Sequence, residues 1–401
     1  MQNKELLKEL DEILKYISME IGERLTGSAN NKKIEAYAEN YFKNQGFEVE
    51  SQRFSCLDFK TADAELTFKG ETISVKPSYY TTGCSVTGDY VKIETLAELK
   101  RSSLTEKIAV LYGELTEEQI MPKSFPFYNP ERHQEIVRVL EEKNPAAIVT
   151  VVEKDESIFE DGDFVIPSMY VTKIDGEKLL ENNGELKLVI NAAREDSDGA
   201  NVIARLNPEK RHKVVLTAHM DTKSGTPGAL DNSTGIAILL LLSQLIKPAD
   251  IDFCLELLLL NGEDYYSIPG QRKYMDTYLK APQDILLAIN CDGVGLKNSP
   301  TTVTFIEGER ELENRLKDRL LDNSDLEFIE PWVQGDHMIF AMENIPVIAF
   351  TSKGIFQLLE TVIHTEKDTI ELIDLDKVIK TVRILEELVK KFEPEISSKS
   401  L

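Results

Sequence analysis

The chain has 401 residues, more than one hydrophobic core usually serves, so two domains are the starting expectation. Hydrophobic residues make up 42% and charged residues 29%, an ordinary balance for a folded globular protein. The formal net charge of −24 repels polyanions, which argues against nucleic acid or an anionic membrane surface as a partner.

The first twenty-odd residues, "MQNKELLKELDEILKYISMEIG", place Leu6, Leu7, Leu10, Ile13, Leu14 and Ile17 at helical spacing. They lack the uninterrupted apolar core of a signal peptide, and no segment is long and apolar enough to span a bilayer, so a cytoplasmic location is expected. Ile34, Tyr37, Ala38, Tyr41 and Phe42 make the face of a second helix, with Gly46 as its C-cap, and Phe47 to Phe54 alternate like a strand. From about residue 56 to 195 the texture changes to short β-like runs, among them "KIAVLYG", "AAIVTVV" and "ELKLVI", separated by turns and a few helical pieces. Beyond Asp196 apolar strands alternate with helices at about 232–246, 265–280 and 309–322, which implies a sheet covered on both faces. A last helix at about 374–393 stops before Pro394. The four cysteines, Cys56, Cys84, Cys254 and Cys291, form no CxxC pair and read as reduced thiols.

Ligands of open α/β sheets bind at the C-terminal ends of the strands. Here "KVVLTA" runs into His219 and Asp221, "CLELLLLN" into Glu263 and Asp264, "ILLAINC" into Asp292, and "PVIAFT" leads towards His364. A Gly/Pro-rich loop adds Asp231. Each residue alone has a commonplace reading: Asp231 as a helix N-cap, Glu263 and Asp264 as the acidic first turn of a helix, Asp292 as a turn residue, and His364 as a surface histidine. Together they form a donor set for divalent metal, with two imidazoles and three carboxylates of the kind zinc accepts and cobalt or manganese can replace. One carboxylate can bridge two ions, and one more must stay unligated as general base. Asp221, two residues past His219, is placed to orient its ring.

At these residues the sequence resembles the M28 family of metallopeptidases, the zinc aminopeptidases and their relatives. "AHMDT" is similar to the family's first ligand motif and "PGALDNSTG" to its bridging-aspartate loop. "NGEDYYSIPGQRKY" resembles the base-plus-ligand segment, "INCDGVG" the fourth motif, and "IHTEKDT" the last. "EKIAVLYG" through "VIPSMYVTKIDGEKLL" is similar to the protease-associated domain often inserted in these enzymes. The resemblance implies a mixed, mostly parallel sheet flanked by helices, formed by residues 1–55 and 196–401, with a smaller β-rich insert at 56–195. It implies a metal-dependent aminopeptidase acting on short peptides, with two divalent ions. Asp231 would bridge; His219 and Asp292 would complete one site, and Asp264 and His364 the other. Glu263 would be the general base, Asp221 would orient His219, and the Asp231–Asn232 peptide bond would be cis. Asp336 and His337 match a segment near the active site and stand as candidate substrate contacts. One departure is Asp264, where the family usually has glutamate. Alternatives left open are a metal hydrolase of the M20 or M42 type, a single-zinc aminoacyl cyclase, and a non-catalytic receptor. The partners expected are a peptide substrate and, among possible assemblies, a second copy of the chain.

Overall fold

The computed structural model describes residues 2–280, 282–308, 310–321, 326–359 and 361–393. Residues 309 and 322, at the ends of one expected helix, and Pro394, the expected stop of the last one, lie outside the described residues. The chain divides into two compact units, Met1–Cys56 with Asp198–Leu401, and Leu57–Ser197.

In the larger unit the sheet runs in the order Leu326–Phe328, Thr301–Ile306, Val347–Ser352, Ile285–Cys291, Lys213–His219, Cys254–Leu260, and then the 202–206 end of Glu185–Leu206. The four strands from Val347–Ser352 to Cys254–Leu260 are mutually parallel, while their two flanking strands pair antiparallel. The result is the mixed, mostly parallel sheet expected. Every residue of Cys254–Leu260 is buried, as a strand covered on both faces requires. Glu256 is the exception in chemistry, fully buried among leucines. It accepts from Arg205 Nε at 2.6 Å and Tyr274 Oη at 2.5 Å, so the charge is paired rather than stranded.

The helix Thr234–Leu245 is apolar on nearly all sides and lies in the middle of the core. The first helix, Asn3–Lys15, and the last, Leu375–Lys390, are amphipathic and close over it with Leu6, Leu10, Ile13, Val382 and Leu385. Truncating one of these leucines to alanine removes buried contacts worth about 2–5 kcal/mol. Asp374 caps the last helix, accepting from the amides of Asp376 and Lys377.

The smaller unit has its own sheet, with Cys84–Ile93, Ile108–Leu111, Ala147–Val152 and Ser168–Thr172 parallel, and antiparallel neighbours at both ends. Ile108 and Val110 face one apolar cluster while Ala109 and Leu111 face another, the period of two that a doubly covered strand imposes. Among the described residues the unit holds three α-helices, Leu96–Arg101, Glu131–Lys143 and Lys173–Glu181, the few helical pieces expected between its strands.

One buried acid in the larger unit gives a pH signature. Glu35 Oε1 accepts from the Ala200 amide at 2.8 Å and from Asn261 Nδ2 at 2.9 Å. Burial pushes its carboxyl up to about 7 from 4.5. The unfolded chain releases this proton at lower pH than the folded one, so Glu35 makes stability fall as pH rises from 4.5 towards 7. Glu35→Gln should flatten that slope, with the variant gaining at most about 3 kcal/mol on the parent at pH 7. Chemical denaturation of both proteins across this pH range is the measurement; parallel curves would contradict the assignment.

Candidate metal centre

Because the four central strands run parallel, their C-terminal ends lie along one edge of the sheet. Each end delivers part of the cluster. His219 is the last residue of Lys213–His219. Glu263 and Asp264 follow Cys254–Leu260 in a loop that continues to Pro269, where the next helix begins. These two acids are therefore not a helix first turn. Asp292 follows Ile285–Cys291, its amide donating to the Phe350 carbonyl at 3.0 Å. His364 lies beyond Val347–Ser352 in a turn, with a left-handed φ of 63° that few non-glycine residues adopt.

Asp231 sits in the loop before Thr234–Leu245, whose N-cap position is Ser233, so Asp231 does not cap the helix. The Asp231–Asn232 peptide bond is cis, as the family resemblance implied. The two Asp231 oxygens face different imidazoles. Oδ1 is 2.9 Å from His219 Nε2, and Oδ2 is 3.0 Å from His364 Nε2. Asp292 Oδ1 lies 3.6 Å from His219 Nε2, and Asp264 Oδ1 lies 3.2 Å from His364 Nε2. Two trios result, His219–Asp231–Asp292 and Asp231–Asp264–His364, and within each trio the ligand atoms lie within 4.8 Å of one another. A third grouping within the same limit joins His219, Glu263 and Asp264.

The donor set fits zinc in type and spacing. Ligands about 2.0–2.2 Å from a tetrahedral ion stand about 3.3–3.6 Å apart, and the separations above are close to that. Asp264 Oδ2 is buried without a hydrogen-bond partner, a cost that coordination or a proton would relieve.

The electrostatics point the same way. Burial works against a charged imidazole, yet the carboxylates of Asp292, Asp221 and Asp231 raise His219 well above 6.5. Asp264 and Asp231 do the same for His364. Burial, reinforced by Asp264, Asp336 and Asp292, pushes Glu263 well above the usual carboxylate range. A cluster that draws protons onto both imidazoles and onto Glu263 is short of positive charge, which divalent cations supply.

Asp221 belongs to the scaffold. It accepts from the amides of Gly262 at 2.8 Å, Glu263 at 3.1 Å and Asp264 at 3.0 Å, and from Thr26 Oγ1 at 3.0 Å. These bonds and the His219 charge overcome burial and hold it below the usual range. Its Oδ1 is 3.7 Å from His219 Nδ1, on the side of the ring away from Asp231.

Asp336 and His337 fall outside the trios. Asp336 is buried, accepts from Gln271 Nε2 at 2.8 Å, and is pushed by burial up to about 7. His337 Nε2 is 2.9 Å from the Trp332 carbonyl, and its ring meets the Trp332 ring edge-on, with 5.2 Å between centroids. A Cβ at neighbouring Gly335 would stand 3.8 Å from Asp292 Oδ2, so this segment borders the cluster.

Residues 201–389 match the model of peptidase family M28. That match lies within the larger unit. Among curated proteins the chain is 24% identical over 309 residues to the probable lipoprotein aminopeptidase LpqL of Mycobacterium tuberculosis, covering 73% of this chain and only 58% of that protein. Its fold is that of the aminopeptidase from Aneurinibacillus sp. strain AM-1, with a TM-score of 0.74 at 20% identity over 96% of this chain and 93% of that one. The zinc aminopeptidase BSAP from Bacillus subtilis gives a TM-score of 0.75 at 18% identity, covering 96% and 95%. No helix among the described residues is long and apolar enough to cross a membrane.

Two residues beside the cluster carry no role in the sequence reading. Arg24 lies in "ERLTGS" and Asp368 in "IHTEKDT"; both are fully buried beside the Asp231 loop. Burial of a large charged side chain is invisible in a single sequence, which is why neither stood out.

Removing metal should destabilise the protein. Each zinc site filled at 100 times its dissociation constant adds about 2.7 kcal/mol to folding stability. Calorimetric unfolding with chelator and with zinc is expected to show a higher transition temperature in zinc, and superimposable scans would count against a metal site here.

Proposed function

We propose that the chain is a zinc-dependent aminopeptidase with two co-catalytic ions, cleaving the first residue from short peptides. The observation that carries this reading is the placement of Asp231 between His219 and His364, one oxygen to each imidazole. In this reading His219, Asp231 and Asp292 hold one ion, and Asp231, Asp264 and His364 the other. Bound there, zinc supplies Lewis acidity to the scissile carbonyl and makes water a competent nucleophile near neutral pH.

The chain's own groups do the rest. Glu263 shares a grouping with His219 and Asp264 and is not needed to complete either trio, so it is free to act as the general base. It takes a proton from the attacking water and returns it to the leaving amine nitrogen. Asp221 fixes the three amides of the Glu263 loop, and its charge lies 3.7 Å from His219 Nδ1, where it favours the proton on that nitrogen. Asp336, whose Oδ2 is buried without a partner, belongs to the substrate side together with His337. The smaller unit is read as the protease-associated insert.

Glu263→Gln tests the assignment. It should retain the parent's zinc content by mass spectrometry while kcat on an amino-acid anilide falls about 10²–10⁴-fold. Activity within a few-fold of the parent would remove Glu263 from the role. Cleavage of a peptide with a free N-terminus but not of its N-acetylated form would mark the exopeptidase, and equal cleavage of both would overturn that part of the reading.

A further inference from the structure

The loop that presents Asp231 is held from two sides by buried, oppositely charged residues that are not ligands. On one side stands Asp368. Its Oδ1 accepts from the Leu230 amide at 2.8 Å and its Oδ2 from the Asp231 amide at 3.1 Å, while its main-chain carbonyl accepts from the Ala229 amide at 3.2 Å. Three successive amides of the loop thus end on one residue. That residue lies four positions past His364, in a turn closed by the Asp368 amide donating to the Thr365 carbonyl at 3.2 Å.

On the other side stands Arg24. Its Nε donates to the Met220 carbonyl at 2.6 Å, next to His219. Its Nη1 donates to the Pro227 carbonyl at 2.8 Å, and its Nη2 to the Gly228 carbonyl at 3.0 Å and to Ser233 Oγ at 3.2 Å. Gly228 leaves no room for slack, since a Cβ there would stand 2.7 Å from the Asp231 carbonyl oxygen and 3.1 Å from Arg24 Nη1. Arg24 therefore ties the His219 segment to the loop, and Asp368 ties the loop to the His364 segment.

We infer that Arg24 and Asp368 are positioning residues that lock the Asp231 carboxylate between the two imidazoles, and that Asp368 in particular couples occupation of the Asp231–Asp264–His364 trio to the geometry of the loop. The inference rests on the metal reading given above. It follows from the bonding pattern. Shifting the Asp231 backbone away from His364 requires the 229–231 amides to leave Asp368, and the unpaired buried amides that would result oppose that shift. Metal at this trio and the clamp on the loop thus favour the same arrangement.

Asp368→Asn is the discriminating variant, because it keeps size and one acceptor oxygen but faces an amide donor with an amide nitrogen. Zinc titration of the metal-free protein by calorimetry, with cobalt absorption as a second readout, is expected to show two equivalents in the parent. In the variant one equivalent should remain near parental affinity and the other weaken at least about tenfold. Two equivalents with parental affinities in the variant would overturn the clamp and leave the metal reading intact. A parent that takes up no zinc would overturn the metal reading itself and the clamp with it.

If the variant does not fold, hydrogen exchange of the unaltered metal-free protein decides. The amides of Ala229, Leu230 and Asp231 should exchange slowly and in step with the 361–369 segment, and zinc should slow both together. Fast, independent exchange of 361–369 beside a protected 229–231 would overturn the coupling.

Discussion

Asp231 offers one oxygen to His219 at 2.9 Å and the other to His364 at 3.0 Å, and everything around it serves to keep those two contacts simultaneous. A single carboxylate can face two imidazoles only if its Cα and plane are both fixed. The backbone does the first through the loop's bonds to Arg24 and Asp368. The imidazoles themselves set the second, and the next residue is pinned too: Asn232 Nδ2 donates to the Cys291 carbonyl at 2.9 Å, and its Oδ1 accepts from the Gly235 amide at 2.9 Å. The helix that follows then approaches the Cys291 strand so closely that a Cβ on Gly235 would stand 2.3 Å from the Cys291 carbonyl oxygen. Glycine is required there by proximity. The strand so gripped is the one that delivers Asp292.

The second constraint is charge. The larger unit gathers Asp221, Asp231, Glu263, Asp264 and Asp292 at one edge of an apolar sheet, where water is scarce. Such a cluster survives in the folded state by three devices of different strength. Asp221 is stabilised in its charged form by three amides and a hydroxyl, a fixed arrangement independent of any ligand. Glu263 and the two imidazoles hold protons more tightly than they would in water. In the metal reading proposed above, cations would be the third device, displacing those protons so that affinity rises with pH. The cluster is therefore a site whose stability depends on what fills it, set on a sheet whose stability does not.

How much of this the sequence made legible follows from the range of each signal. Continuous apolar runs such as "KVVLTA" and "CLELLLL" declare buried parallel strands by themselves, and strand ends point to where polar residues matter. The five residues of the two trios were all named from their motifs, and the chain brings all five together. Local expectations failed where long-range contacts decide. Asp231 looks like an N-cap and Glu263–Asp264 like a helix start, because capping rules see only neighbours in sequence. The N-cap position falls on Ser233, and the helix after Asp264 waits for Pro269. Arg24 and Asp368 were illegible for the same reason: their bonds span 204 and 137 residues of chain, and nothing nearby marks a charged side chain as buried.

Asp264 is the position where chain length in the side chain matters most. An aspartate reaches one methylene less far than the glutamate usual in the family, and reach is what a second ion would test. Here Asp264 Oδ1 is 3.2 Å from His364 Nε2, comparable to the spacing on the His219 side. Its backbone is anchored by the hydrogen bond that its N–H donates to Asp221 Oδ2, so the loop itself carries the carboxylate inward. What the shorter side chain gives up is freedom rather than reach. With fewer rotatable bonds, its plane is set by the loop, and the loop is set by Asp221. Asp221 also stands 3.7 Å from His219 Nδ1, so one buried carboxylate that would touch neither ion anchors the Asp264 side and lends its charge to the His219 side.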